Sequence, residues 1–220
     1  MTQRDNVLWL QCWRDQRTDF TQAVTNPLLV RFWPGLNLAA GSRVFVPLCG
    51  RSLDMLWLAG LGHEVIGVEL SPIAVSAFFK ARKLNASRRK IGPFTLWQHG
   101  RLQILCGDYF ALTPTLLGRI DAVYDHTALT ALPEDLRPAY VAQLSRIVPN
   151  HAPIFLLTTE DAAPLAALVI DDEITRLYAE NFAISVAYME NLPAATAETG
   201  VYKVYRLIAK PGVEVTLGVA

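Results

Sequence analysis

From Arg43 onward, short apolar runs alternate with segments of helical periodicity, and no other feature restricts the fold of this chain so strongly. The runs at 43–48, 64–69, 120–125 and 153–159 lack a polar face, which suits strands covered on both sides, as in a parallel sheet. Between them the spacing predicts helices over 52–61, 72–84 and 134–148, with another over 171–180. Ser71-Pro72 caps the second of these. Phe94–Gln98 and Leu102–Cys106 form a hairpin with His99-Gly100 at its turn, and residues 85–93, polar and basic before Gly92-Pro93, read as a loop. The runs 182–189 and 201–209 close the sheet edge as an antiparallel pair. The expected class is therefore α/β with a Rossmann-like, mostly parallel sheet.

Two short helices precede this alternation. Val7, Leu8, Trp9, Cys12 and Trp13 share helical spacing over 7–17. Asn26-Pro27 gives an N-cap and a proline at the first position of a helix running from Leu28 to Trp33.

Composition narrows the function. The chain of 220 residues suits one domain, and 52% hydrophobic against 18% charged residues leaves enough apolar surface for a core. Twenty basic and twenty acidic residues cancel, so neither nucleic acid nor an anionic membrane is the expected partner. Arg88-Arg89-Lys90 is a short basic run that reads as solvated loop. Cys12, Cys49 and Cys106 form no Cys-x-x-Cys pair, no signal-peptide pattern opens the chain, and no apolar run is long enough to span a bilayer. A cytoplasmic protein is expected.

In a doubly wound sheet, ligands bind beyond the C-terminal strand ends. Cys49-Gly50, Glu69, Gly107-Asp108-Tyr109 and Asp125-His126 all fall on that rim. Gly50 permits close approach to the backbone, and the helix starting near Ser52 offers amides to a carboxylate. Glu69 has the chemistry to accept from two ribose hydroxyls, and Asp108 from the exocyclic amine of a purine. Each residue alone is more simply a turn; their recurrence at successive strand ends points to a nucleoside-bearing ligand. Neither Gly-x-Gly-x-x-Gly nor a Walker phosphate loop follows the first strand, and the chain has no Gly-x-Ser-x-Gly elbow. His63, His99, His126 and His151 lack zinc spacing, so no metal is expected.

The string Val46-Pro47-Leu48-Cys49-Gly50-Arg51-Ser52-Leu53-Asp54-Met55, with Trp57-Leu58-Ala59, Gly62-His63 and Gly67-Val68-Glu69-Leu70-Ser71, closely resembles the bacterial thiopurine S-methyltransferases. Cys106–Leu112, Tyr124-Asp125, Ala128-Leu129, Ala131-Leu132-Pro133, Trp9, Trp13, Phe20 and Asn26–Leu29 extend the match, which covers roughly residues 9–160. The resemblance implies a class I methyltransferase with a seven-stranded mixed sheet, helices on both faces and residues 1–40 as a helical cap over the cofactor site. It implies S-adenosylmethionine as cofactor, leaving as S-adenosylhomocysteine. Carried over by position, Trp13 covers the cofactor, while Leu48 and Glu69 contact it beside Gly50, Asp108, Tyr109 and His126.

Three departures fall on the acceptor side. His126 stands where the family has an arginine associated with the cofactor and substrate pocket, Phe20-Thr21 replaces a Phe-His pair, and a Gly-Pro-Pro-Phe segment is missing between Thr158 and Asp171. The expected reaction is S-methylation of a small, heteroaromatic thiol such as a thiopurine by a monomer. Asp125 and His126 are the candidates to orient or deprotonate the acceptor, with a purely structural hydrogen-bonding role for His126 as the alternative. The rivals are an inorganic thiolate, a selenium or tellurium species or a natural-product oxygen or nitrogen as acceptor, or a cofactor-binding regulator without catalysis.

Overall fold

A computed structural model describes residues 3–17, 22–148, 152–161, 171–191 and 200–210. Phe20-Thr21, His151 and the stretch 162–170, which held expectations above, lie outside the described residues. The chain divides into two compact units, Met1–Tyr124 and Asp125–Ala220.

In the first unit, helices α1 (Gln3–Arg14) and α2 (Pro27–Phe32) lead into a 3-10 turn and then β1 (Arg43–Val46), α3 (Asp54–Gly60), β2 (Glu64–Glu69) and α4 (Pro72–Ala81). Strands β3 (Ser87–Ile91), β4 (Phe94–His99) and β5 (Leu102–Cys106) follow, then α5 (Pro114–Leu117) and β6 (Ala122–His126), whose last residues open the second unit. That unit continues through α6 (Arg137–Ile147), β7 (Ile154–Asp161), α7 (Asp172–Tyr178), β8 (Phe182–Asn191) and β9 (Gly200–Ala209). The strand order is β3-β4-β5-β2-β1-β6-β7-β9-β8. β5, β2, β1 and β6 run parallel, and the pairs at either end are antiparallel, including the expected closing pair of β8 and β9.

The sheet thus has nine strands, where seven were expected. The hairpin of β4 and β5 is the one read from the sequence, and β3 is the strand that falls where the sequence predicts a loop. Residues 87–91 read as a loop because their side chains are polar, and in the structure Ser87–Lys90 are exposed on an edge strand. An edge strand needs no apolar alternation, and its charges discourage pairing with another chain. Arg88 lies opposite Trp97 in register, and its guanidinium sits 3.7 Å above the indole centroid.

Helix α1 differs in phase from its expected stripe. Trp13 is buried, Trp9 and Cys12 are half-buried, and Val7 and Leu8 face solvent. Asn6, Trp9, Leu10 and Trp13, spaced i, i+3, i+4 and i+7, form the inner face. Helix α2 starts as its sequence predicts, with the Asn26 side chain accepting from the Leu28 amide at 2.8 Å and Pro27 at the first helical position.

Beneath these helices lies a buried polar node centred on Asp54, the first residue of α3 and fully buried. Its carboxylate accepts from the Tyr124 hydroxyl at 2.7 Å, the Gln22 amide at 2.9 Å and the backbone amide of Asn26 at 2.7 Å. One side chain therefore ties the entry to α2, the start of α3 and the middle of β6. Trp33 packs edge-on against Tyr124 and His63, and burial holds His63 below its usual pKa, keeping the ring neutral.

In the second unit, Glu160 joins β7 to β9. Its carboxylate pairs with the Lys203 ammonium at 2.6 Å and accepts from the hydroxyls of Tyr205 at 2.8 Å and Thr158 at 2.5 Å. Tyr205 in turn accepts from the Asp171 amide at 3.3 Å, which fixes the N-cap of α7. Arg137 at the head of α6 donates to the carbonyls of Leu132 and Thr130 and pairs with Glu173 of α7 at 2.6 Å.

Candidate functional site

The turn after β1 carries the first site residues. Leu48 has φ +46°, a left-handed conformation that costs a non-glycine residue about 1–2 kcal/mol, and Gly50 has φ +52°. The Cys49 amide donates to the Val68 carbonyl at 2.9 Å, anchoring this turn to β2. Gly67 makes that approach possible, because a Cβ there would lie 2.6 Å from the Cys49 sulfur and 3.0 Å from the Met55 methyl.

Glu69 ends β2 with only 7% of its surface exposed. Its Oε2 accepts from the Gly50 amide at 3.0 Å and its Oε1 from the Ser71 amide at 2.6 Å, so one carboxylate bridges the turns after β1 and β2. Burial raises its pKa to about 7, against the opposing pull of the Ser71, Gly50 and Leu70 amides. Sequence reasoning offered the amides of a helix starting near Ser52 to a carboxylate; in the structure α3 starts at Asp54, whose amide donates to the Ser52 hydroxyl at 3.3 Å, and the Gly50 amide serves Glu69.

The turn after β5 completes the cluster in this unit. The Gly107 amide donates to the Glu69 carbonyl at 2.9 Å, and the Gly107 Cα packs under Phe94 so closely that a Cβ would come within 2.5 Å of the ring. Asp108 caps the following 3-10 turn, with Oδ1 accepting from the Phe110 amide at 2.9 Å. Its Oδ2 accepts from the Asn6 side-chain amide of α1 at 3.0 Å. Tyr109 is buried, with its ring edge-on to Phe110.

Helix α1 touches both ends of this cluster. While Asn6 holds Asp108, Trp13 Cζ2 lies 3.6 Å from the position a Cβ of Gly50 would take, and the Arg51 guanidinium stands 5.6 Å from the Trp13 ring centroid. Trp13, Leu48, Gly50, Glu69, Asp108 and Tyr109 therefore belong to one connected set of turns under one helix. Asn6 was not singled out from the sequence; its partner lies 102 residues away, and a lone asparagine in an amphipathic helix carries no local signal.

Asp125 and His126 belong to the second unit, at the end of β6. Asp125 is fully buried; Oδ1 accepts from the amides of Ala128 at 2.9 Å and Leu129 at 3.4 Å, and Oδ2 from the Tyr140 hydroxyl at 2.7 Å. Burial lifts its pKa to about 6, while the Tyr140, Leu129 and Ala128 bonds pull it down. Its geometry is that of a carboxylate shaping the next turn, where Thr127 has φ +55° and donates to the Leu157 carbonyl at 2.8 Å. His126 is half-buried beside it. Among the described residues, no group of three or more His, Cys, Asp and Glu is arranged to hold a metal ion, and no helix is long and apolar enough to cross a membrane.

The sequence model described as thiopurine S-methyltransferase matches residues 4–208. The thiopurine S-methyltransferase of Stutzerimonas stutzeri is 56% identical over 219 aligned residues, spanning 96% of this chain and 93% of its own. That of Methylococcus capsulatus is 42% identical over 187 residues, spanning 83% and 84%. Among solved structures, a SAM-dependent methyltransferase from Anabaena variabilis superposes with a TM-score of 0.67 at 14% identity, covering 93% of this chain and 95% of that one. At such identity the likeness shows the fold.

Proposed function

The chain belongs to the thiopurine S-methyltransferase family and is an S-adenosylmethionine-dependent methyltransferase; from that premise we propose that its acceptor is a small heteroaromatic thiol, methylated on sulfur. The observation that carries this reading is 56% identity with a thiopurine S-methyltransferase along nearly the whole chain. We assign the cofactor to Trp13, Leu48, Gly50, Glu69, Asp108 and Tyr109. The residues fit the group: a buried carboxylate ends β2, a glycine turn lies under an indole, and a second carboxylate follows β5.

When bound, S-adenosylmethionine supplies an electrophilic methyl group on a sulfonium. The protein's part is to hold donor and acceptor in line and to keep water away. Glu69 fixes the ribose by accepting from its hydroxyls, and Trp13 closes the turn at Gly50. Asp125 holds the 125–129 turn through Ala128, Leu129 and Tyr140, and so positions His126. His126 orients the acceptor or takes its thiol proton, which an acidic heteroaromatic thiol yields readily.

An acceptor panel followed by S-adenosylhomocysteine formation tests the proposal. The expected result is fastest turnover with heteroaromatic thiols and an acceptor KM about tenfold higher in His126→Ala. Turnover confined to oxygen or nitrogen nucleophiles would overturn the thiol, and unchanged kinetics in His126→Ala would remove that residue from the site. A second reading, with a different small acceptor such as an inorganic thiolate, is favoured by His126 itself, whose charge is not permanent as arginine's is.

Cofactor affinity is expected to depend on pH through Glu69. Burial raises its pKa to about 7, and ribose hydroxyls donating to it favour the ionised form, so binding below that pH must release a proton. Affinity for S-adenosylmethionine should fall about tenfold per pH unit below about 7 and level off above it. Calorimetry from pH 5.5 to 8.5 measures this; in Glu69→Gln the slope should vanish.

The three cysteines are unpaired in the structure, which supports a reducing, cytoplasmic setting, and the charged edge at β3 supports a monomer.

A further inference from the structure

Asn6 has a half-used side chain. Its Nδ2 donates to Asp108 Oδ2 at 3.0 Å, and its Oδ1 is buried without a hydrogen-bond partner. A buried carbonyl oxygen without a donor costs about 1–3 kcal/mol, so such groups usually await one. Turning the amide over does not relieve it, because Oδ1 would then face the Asp108 carboxylate. The orientation that serves Asp108 thus leaves an acceptor open beside it.

We propose that Asn6 is a specificity-determining residue for the adenine of the cofactor, and that its Oδ1 accepts one hydrogen of the 6-amino group while Asp108 accepts the other. This rests on the assignment of Asp108 to that amine. The chemistry matches in number: the amine carries two N–H donors, and Asp108 Oδ2 retains a lone pair beyond the one given to Asn6. Asp108 Oδ1 is committed to the Phe110 amide, which fixes the carboxylate for this contact. Placement agrees as well. Asn6 and Trp13 lie two turns apart on the inner face of α1, so the helix that covers the Gly50 turn through Trp13 also reaches the base through Asn6. A base with a 6-oxo group would set an acceptor against two acceptors and be rejected, since a site built to receive a donor discriminates strongly against a partner lacking it.

The test is calorimetric binding of S-adenosylhomocysteine and of its deaminated analogue, S-inosylhomocysteine, to the full chain and to Asn6→Ala, Asn6→Leu and Asp108→Ala. Thermal unfolding of each variant confirms that it is folded; Asn6→Leu keeps the branched shape of the side chain without its polar atoms. The expected result is that both Asn6 variants bind S-adenosylhomocysteine about tenfold more weakly with little change toward the analogue, so that the preference for adenine shrinks. A purely structural role for Asn6 would weaken both ligands alike. Unchanged preference in both Asn6 variants, with preference lost in Asp108→Ala, overturns the proposal and leaves the assignment of Asp108 standing. Unchanged preference in Asp108→Ala as well removes that assignment. Tighter binding in Asn6→Ala shows that Asn6 competes with the base for Asp108, which also overturns it.

Discussion

Glu69→Ala should weaken S-adenosylmethionine binding by at least about a hundredfold. On the proposed cofactor assignment, two hydrogen bonds from ribose hydroxyls to the charged carboxylate would contribute about 1.5–3 kcal/mol each, and the alanine removes both. It also releases the Gly50 and Ser71 amides, so the two turns that frame the ligand lose their common partner. Glu69→Gln keeps an acceptor and the side-chain volume and should lose about tenfold, the share that depends on charge. Stability should change less than affinity, because the unliganded protein already holds this carboxylate under strong desolvation. Isothermal calorimetry at pH 8, where the wild-type group is ionised, gives the comparison. Binding by the alanine variant within threefold of wild type would mean that Glu69 supports the turns and nothing more.

Asp54→Ala should show the reverse pattern, with a large loss of stability. Three donors converge on this fully buried carboxylate, and the alanine removes the acceptor shared by the Tyr124 hydroxyl, the Gln22 amide and the Asn26 backbone amide. Breaking such a buried, charge-assisted node costs about 3–5 kcal/mol. Urea unfolding should show a lower midpoint with little change in slope. Asp54→Asn, which retains one acceptor oxygen but brings two new donors, should fall between the variant and wild type. A loss under about 1 kcal/mol in the alanine variant would show that water or rotation of Tyr124 replaces the carboxylate.

Much of this architecture is legible locally. β2 spans Glu64–Glu69, the same limits its apolar run gives, because a strand covered on both faces has an unambiguous pattern. Asn26-Pro27 marks the start of α2 because the cap acts within two residues. What escapes the sequence depends on distant partners. Ser87–Ile91 has the composition of a loop and becomes a strand because β4 offers it an open edge. The inner face of α1 follows from where Gly50 and Asp108 lie, so Val7 and Leu8 turn outward despite their hydrophobicity. Asp54 stands at the start of an otherwise apolar helix, and that isolated acid in an apolar context was the one available clue to its node. Asp125 was legible as a strand-end acid; its engagement by Tyr140, fifteen residues on, was not.

The cysteines have a further consequence in a molecule that carries an alkylating sulfonium. Cys49 lies in the turn after β1 and Cys106 ends β5, the strands on either side of β2 and Glu69, and a thiolate in either place would be a nucleophile toward an alkylating reagent. Burial, reinforced by the negative charge of Glu69, raises the Cys49 pKa well above its usual value and that of Cys106 to about 11. Both remain thiols at neutral pH, and a thiol is a feeble nucleophile beside its anion. The environment that makes Glu69 reluctant to ionise thereby also keeps both neighbouring cysteines in the protonated form, which reacts slowly with an alkylating reagent.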